Sequence, residues 1–142
     1  MIGLDVGTKT IGIAASDPTR MLASPVRTLG RRSVARDSDE IVALAQELGA
    51  AEFVVGLPFE LDGSEARSAR LARQIGEALV ERTGQPVHYV DERFTSVDAE
   101  RQLIQAGMRR AKRKAVIDQA AAVIILQSFL DHPELAERPA DA

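Results

Sequence analysis

Apolar and polar residues alternate with period two over Ile2–Val6, where Gly3 and Asp5 separate Ile2, Leu4 and Val6. That period predicts a strand. Gly7-Thr8-Lys9-Thr10 carries turn chemistry and Ile11–Ala15 resumes as a second strand, so the chain opens on a hairpin. Ser16–Arg20 reads as a loop and Met21–Leu29 as a third strand, which Pro25 assigns to an edge or a bulge. The spacing then changes. Ser33 or Asp37 can cap a helix whose apolar face is Ile41, Leu44, Ala45 and Leu48, and Gly49 ends it. Glu52–Gly56 is a short, nearly continuous apolar strand of the kind covered on both faces, followed by a loop, Leu57–Gly63. Ser64–Arg82 is a second helix with Ala66, Ala69, Leu71, Ala72, Ile75, Ala78 and Leu79 as its stripe. Val87–Val90 is a further strand, with Asp91-Glu92-Arg93 at its carboxyl end. A third helix is expected from Thr95 or Ser96 to about Ala106, a basic loop over Met108–Lys114, and an apolar last helix over Ala115–Leu130.

This order, three strands in antiparallel sequence and then alternating helix and strand, predicts an α/β fold with a mixed five-stranded sheet: three antiparallel strands, then two parallel ones, with helices on both faces. Ligands in such sheets bind at the carboxyl ends of the parallel strands. The length of 142 residues suits one domain. We expect that domain to span residues 1–130 and residues 131–142 to form an acidic, disordered tail.

Charge alters this picture only slightly. The net charge of −3 argues against a nucleic-acid binder, but the tail carries all of it, and residues 1–130 are neutral. Fifteen of the 18 bases are arginine, the residue suited to bidentate phosphate contacts, although a GC-rich genome would give the same bias. The absence of cysteine excludes disulfides and thiolate zinc sites and fits a reducing compartment. No apolar run is long enough for a membrane span and no leader precedes Asp5, so a cytoplasmic protein is expected.

Three acids stand out. Asp5 lies within an apolar strand, where aspartate is rare; its bland role would be to bond the turn amides of Thr8 or Lys9. Glu92 follows the last strand, with Asp91 as its rival, since neighbours on an extended chain point to opposite sides. Asp118 shares a helix face with Ala121, Ala122 and Ile125; the alternative is a cap or a charge complementing the helix dipole. Three carboxylates without cysteine or histidine suit hard cations, Mg²⁺ or Mn²⁺, and two such ions about 4 Å apart form a clamp for phosphodiester hydrolysis. Lys9, Arg93, Arg109, Arg110, Lys112, Arg113 and Lys114 are candidates to hold the polyanion, although the basic run reads equally as a solvated linker.

Four motifs in order carry a resemblance: Leu4-Asp-Val-Gly-Thr-Lys-Thr-Ile-Gly-Ile-Ala14; Val55-Gly-Leu-Pro58 with Asp62-Gly63; Asp91-Glu-Arg-Phe-Thr-Ser96; and Lys114-x-x-x-Asp118-x-x-Ala-Ala-x-x-Ile-Leu126. On these, the chain from Ile2 to Leu130 resembles the YqgF/RuvX family, within the ribonuclease H-like superfamily that also holds the RuvC Holliday junction resolvases. The resemblance implies a ribonuclease H-like nuclease fold and a metal-dependent phosphodiesterase whose acidic triad falls on Asp5, Glu92 and Asp118. It implies as substrate the 5′ end of pre-16S ribosomal RNA, in ribosome biogenesis, or alternatively a four-way DNA junction in recombination and repair. A RuvC-like site has four carboxylates; Asp62 or Asp91 would supply the other.

Two readings compete. Asp5-Val-Gly-Thr with Gly12 also looks like the first phosphate loop of actin-like ATPases and sugar kinases, but those need two lobes and the chain has the length of one. A non-catalytic RNA-binding module would keep the fold without the chemistry. The sequence leaves monomer and homodimer open; a junction resolvase wants two sites related by a two-fold axis.

Overall fold

A computed structural model of the chain describes residues 1–58, 67–95, 97 and 110–137, with side chains from residue 119 onward in the last stretch. The strands are β1 (Ile2–Val6), β2 (Thr10–Ser16), β3 (Ala23–Gly30), β4 (Phe53–Leu57) and β5 (Val87–Asp91), and the helices α1 (Val34–Leu48), α2 (Arg67–Thr83) and α3 (Arg110–Asp131). One five-stranded sheet has the order β3-β2-β1-β4-β5. β2 pairs antiparallel with both β1 and β3; β1 and β4 are parallel, as are β4 and β5. This is the expected mixed sheet.

The alternation read in β1 sorts its residues between two cores. Ile2, Leu4, Val6, Ile11, Ile13, Phe53, Val55 and Leu57 face one way and pack with Ile41, Leu44 and Ala45 of α1 and Ala72, Ile75 and Leu79 of α2. Ala14, Val54 and Val90 face the other way and pack with Ala121, Ala122, Ile125, Leu126 and Phe129 of α3. β4 is buried along its whole length because both of its faces are covered. Pro25 lies on the edge strand β3, and the β2–β3 register shifts between Ile13 and Ala14, the latter opposite Pro25. Ser33 caps α1 through its side chain, which accepts from Arg36 N–H, and Gly49 closes the helix in the left-handed conformation at φ 67°.

Two expectations are corrected. The basic run is not a loop: α3 begins at Arg110, so Arg110, Lys112, Arg113 and Lys114 are helical. Ala, Lys and Arg are strong helix formers and nothing in 110–114 breaks a helix, so the charge run carried no stop signal. The chain beyond the last helix is also not a structureless tail over residues 131–137. Asp131 ends α3, Pro133–Leu135 form a 3₁₀ turn, and Ala136 bridges antiparallel to Val90. Glu137 N–H donates to Tyr89 O at 2.8 Å, and its carboxylate takes both Nη groups of Arg73 at 2.9 and 3.1 Å. The segment covers the free edge of β5, which would otherwise present unpaired backbone groups. The expected helix from Thr95 or Ser96 to Ala106 lies almost entirely outside the described residues, as do residues 59–66.

Candidate active site at the carboxyl ends of the parallel strands

β1, β4 and β5 run parallel, so their carboxyl ends share one edge of the sheet. Asp5 is the next-to-last residue of β1 and is half-buried. Leu4 and Val6 belong to the α1/α2 core, so period two turns Asp5, like Gly3, toward α3. On β4 the corresponding position, one beyond the Leu4–Val55 pair, is Gly56. A Cβ built on Gly56 would lie 2.4 Å from Ile125 Cδ1 and 3.2 Å from Glu92 Oε1. Gly56 is therefore the bare floor over which α3 and the Glu92 side chain close. Asp5 stands on the strand that flanks it on one side, and Glu92 follows the strand that flanks it on the other, two residues past Val90, the β5 partner of Gly56.

Glu92 is only 5% exposed. It opens a 3₁₀ turn, Glu92–Phe94, that is fixed at both ends. Asp91 caps it by accepting from Arg93 N–H at 2.9 Å, and Thr95 Oγ1 donates to Glu92 O at 2.7 Å. Asp91 pairs in register with Leu57, a residue of the α1/α2 core, so Asp91 and Glu92 leave β5 toward opposite faces. The Asp91 carboxylate is held by Arg93, with Nε at 3.1 Å and Nη2 at 2.7 Å. Hydrogen bonding to Asp91 raises the Arg93 pKa further above its ordinary value. Arg93, a candidate for phosphate contact, thus spends part of its donor set on Asp91.

Small residues let α3 come close. A Cβ on Gly3 would lie 2.6 Å from Leu126 Cβ and 3.1 Å from Ala122 O. Gln127 reaches Ala23 N–H and Met21 O, near the amino end of β1, while Ile125 lies against Gly56 at the carboxyl edge. Residue numbers in α3 therefore fall toward the carboxyl edge. Position 118 is one turn before Ala122 and about two turns inside a helix that begins at Arg110, so Asp118 is not its cap. The Asp118 side chain lies outside the described residues, as do those of Arg110, Lys112, Arg113 and Lys114; Asp62 and Arg109 lie outside altogether. Among the described residues, no group of three His, Cys, Asp or Glu side chains is close enough to hold a metal ion.

Lys9 is exposed in the β1–β2 turn, four residues after Asp5. The turn closes with Gly7 N–H on Thr10 O at 2.9 Å. Sequence reasoning missed what supports it. Arg31 Nη1 donates to Gly7 O at 3.0 Å, Arg31 Nε to Asp37 Oδ2 at 2.8 Å, and Arg31 N–H to Lys9 O at 2.9 Å. Asp37 is not the cap of α1 but is buried beneath its first turn. The signal was its place four before Ile41: an acid on the buried stripe of a helix needs a charged partner.

The model of the RuvX family, described as Holliday junction resolvase, matches residues 1–132. The chain belongs to the RuvX family. It is 45% identical over 142 residues to a protein of Nitrobacter hamburgensis, covering 100% of this chain and 87% of that protein. It is 50% identical over 131 residues to one of Mycobacterium tuberculosis, covering 92% and 77%. Both relatives bear the name "Putative pre-16S rRNA nuclease". Among solved structures it is similar to Thermus thermophilus RuvC in complex with a Holliday junction substrate, with a TM-score of 0.58 and 15% identity, covering 96% of each chain. That likeness shows the ribonuclease H-like fold read from the four sequence motifs.

Proposed function

We propose that this RuvX member is a divalent-metal-dependent endonuclease that trims the 5′ end of pre-16S rRNA. What supports the reading is that strand alternation turns Asp5 toward α3, the same side on which the buried Glu92 side chain lies against Gly56. The names of the relatives in Nitrobacter and Mycobacterium point to the same substrate.

The donor set fits a hard cation. Asp5 and Glu92 offer carboxylate oxygens only, the chain has no cysteine, and a side chain on Gly56 would intrude on Glu92 Oε1. Asp5, Glu92 and Asp118 are the residues to hold Mg²⁺ or Mn²⁺, as a two-ion site. Ions held there would supply an activated water and neutralise charge on the leaving oxygen. The protein does the rest. The fixed 3₁₀ turn holds Glu92 in a single buried orientation. Lys9, Arg93, Arg109, Arg110, Lys112, Arg113 and Lys114 hold the phosphate backbone. Four bases at 110–114, in the first turns of α3, oppose the positive end of the helix dipole. A polyanion against that end reverses the sign of the interaction, which favours a grip over a merely solvated helix turn.

Trimming an RNA end needs one active site, so a monomer suffices, and the work is cytoplasmic. No helix of the described residues is long and apolar enough to cross a membrane.

The family model's own description favours a second reading, cleavage of four-way DNA junctions. A side-by-side assay separates the two. Wild type and Asp5→Asn meet labelled precursor 16S rRNA and labelled four-way junctions, with Mg²⁺, with Mn²⁺ and with chelator. Metal-dependent cutting of the RNA alone, lost in Asp5→Asn, is the expected result. Paired symmetric nicks in the junction support a dimeric resolvase instead. Binding without cutting, by folded protein, supports a non-catalytic RNA-binding module.

A further inference from the structure

Arg31 holds both ends of the turn that follows the Asp5 strand. Its guanidinium binds Gly7 O and its backbone amide binds Lys9 O, so Gly7-Thr8-Lys9 is clamped from one residue. The clamp is itself anchored. Arg31 and Asp37 side chains are 12% and 3% exposed, and Asp37 also accepts from Arg32 N–H at 3.2 Å. A mostly buried ion pair is a demanding way to hold a surface turn, because losing either partner strands the other charge away from water. The hairpin has a cheaper closure already, in Gly7 N–H on Thr10 O and the β1–β2 ladder from Ile2–Ala15 to Val6–Ile11. What the extra anchorage adds is a fixed direction for the exposed residues at the turn, Thr8 and Lys9. Lys9 sits at the edge of the sheet that carries Asp5 and Glu92. A long ammonium side chain on a rigid turn loses less freedom on meeting a phosphate than one on a loose turn.

We infer that Arg31, through Asp37, is a positioning residue for substrate: it fixes the turn so that Lys9 meets the nucleic-acid backbone beside Asp5. The inference rests on the nuclease reading above and adds to it a residue that never touches the RNA. Arg31 acts from the end of β3, outside all four motifs that carry the family resemblance.

The test is a double-mutant cycle between Arg31 and Lys9. Wild type, Lys9→Ala, Arg31→Met and the double variant bind a fluorescein-labelled precursor 16S rRNA leader in chelator, followed by anisotropy across a salt series. Circular dichroism and thermal melting check folding. Lys9→Ala is expected to weaken binding severalfold and to lower the salt slope by about 0.7 to 0.9, the value of one phosphate contact. Arg31→Met, whose side chain is not at the surface, is expected to lower the slope by a similar amount, and the double variant to be no worse than either single one. Arg31→Lys, which can reach one acceptor but not bridge two, is expected to recover part of the loss. If Arg31→Met does not fold, Arg31→Lys and Asp37→Asn enter the same cycle. A folded Arg31 variant with wild-type slope, or losses that multiply in the double variant, would overturn the inference, as would a Lys9→Ala that binds like wild type. A wild type that neither binds nor cuts the RNA overturns the nuclease reading itself, and this inference falls with it.

Discussion

Gly56 and Ile125 touch so closely that no side chain fits between them: a Cβ on the glycine would stand 2.4 Å from Ile125 Cδ1 and 3.0 Å from its Cγ1. This contact sets the height of α3 above the floor on which Glu92 lies. Gly3 does the same one strand away, against Leu126 Cβ and the Ala122 carbonyl.

The two glycines should therefore differ in how they tolerate alanine. At Gly56 the obstacle is mainly the end of a side chain, and Gly56→Ala is expected to cost about 1–3 kcal/mol as overpacking. Ile125→Val, which removes Cδ1, should recover part of that in the double variant. At Gly3 the obstacle is a Cβ and a backbone oxygen, which cannot rotate away, so Gly3→Ala should cost more and resist such rescue. Urea unfolding of the four variants measures both differences, and equal costs at the two sites would contradict the packing described.

The bases in α3 should trade stability for binding. Replacing Arg110, Lys112, Arg113 and Lys114 by Gln removes charges that oppose the helix dipole, so the melting temperature should hold or rise slightly. RNA binding should weaken, and its salt slope should fall by up to about 0.7 to 0.9 for each base that contacts phosphate. An unchanged slope would mean that these residues are a solvated helix turn that does not contact the RNA.

The edge of β5 depends on the last described residues. Ending the chain at Asp131 removes the Val90–Ala136 bridge, the Glu137 amide bond to Tyr89 and the Arg73–Glu137 ion pair. That pair is about one-third exposed, so the ion pair itself contributes at most about 1 kcal/mol after screening. The larger effect should be self-association through the uncovered edge, visible by light scattering at increasing protein concentration.

Acid should act locally on the β2–β3 loop. The Asp17 carboxylate accepts from Thr19 Oγ1 and from the amides of Leu22 and Met21, which together lower its pKa to about 2. A carboxylate depressed in the folded state adds stability above its unfolded value near 4 and loses it as pH falls through about 2. The Asp17 side-chain resonance should titrate in that low window, and Asp17→Asn should remove the acid-dependent change in the Met21 and Leu22 amides. A midpoint near 4 would mean that the loop bonds do not form in solution.

The strands and their order were legible because each strand alternates or is wholly apolar, and because Pro25 and Gly49 carry unambiguous backbone meaning. Asp5 stood out because acids are rare within such strands, and Glu92 because it follows the last strand at the edge where ligands of such sheets bind. Three things were not legible. The start of α3 was hidden because a basic run is as good a helix as it is a loop. The docking of residues 132–137 depends on an edge that exists only once the sheet is assembled. The Arg31–Asp37 clamp joins two residues whose partnership needs β3 to end beside α1, and Asp37 read alone looks like a cap.

The claim that Asp5 and Glu92 share one metal site is tested most directly by anomalous diffraction from crystals soaked in Mn²⁺. A Mn²⁺ peak within coordination distance of the Asp5 and Glu92 carboxylates, over Gly56 and absent in Asp5→Asn, is the expected result. A protein that cuts RNA with Mn²⁺ while its crystals show the ion elsewhere, or on only one of the two carboxylates, would contradict it.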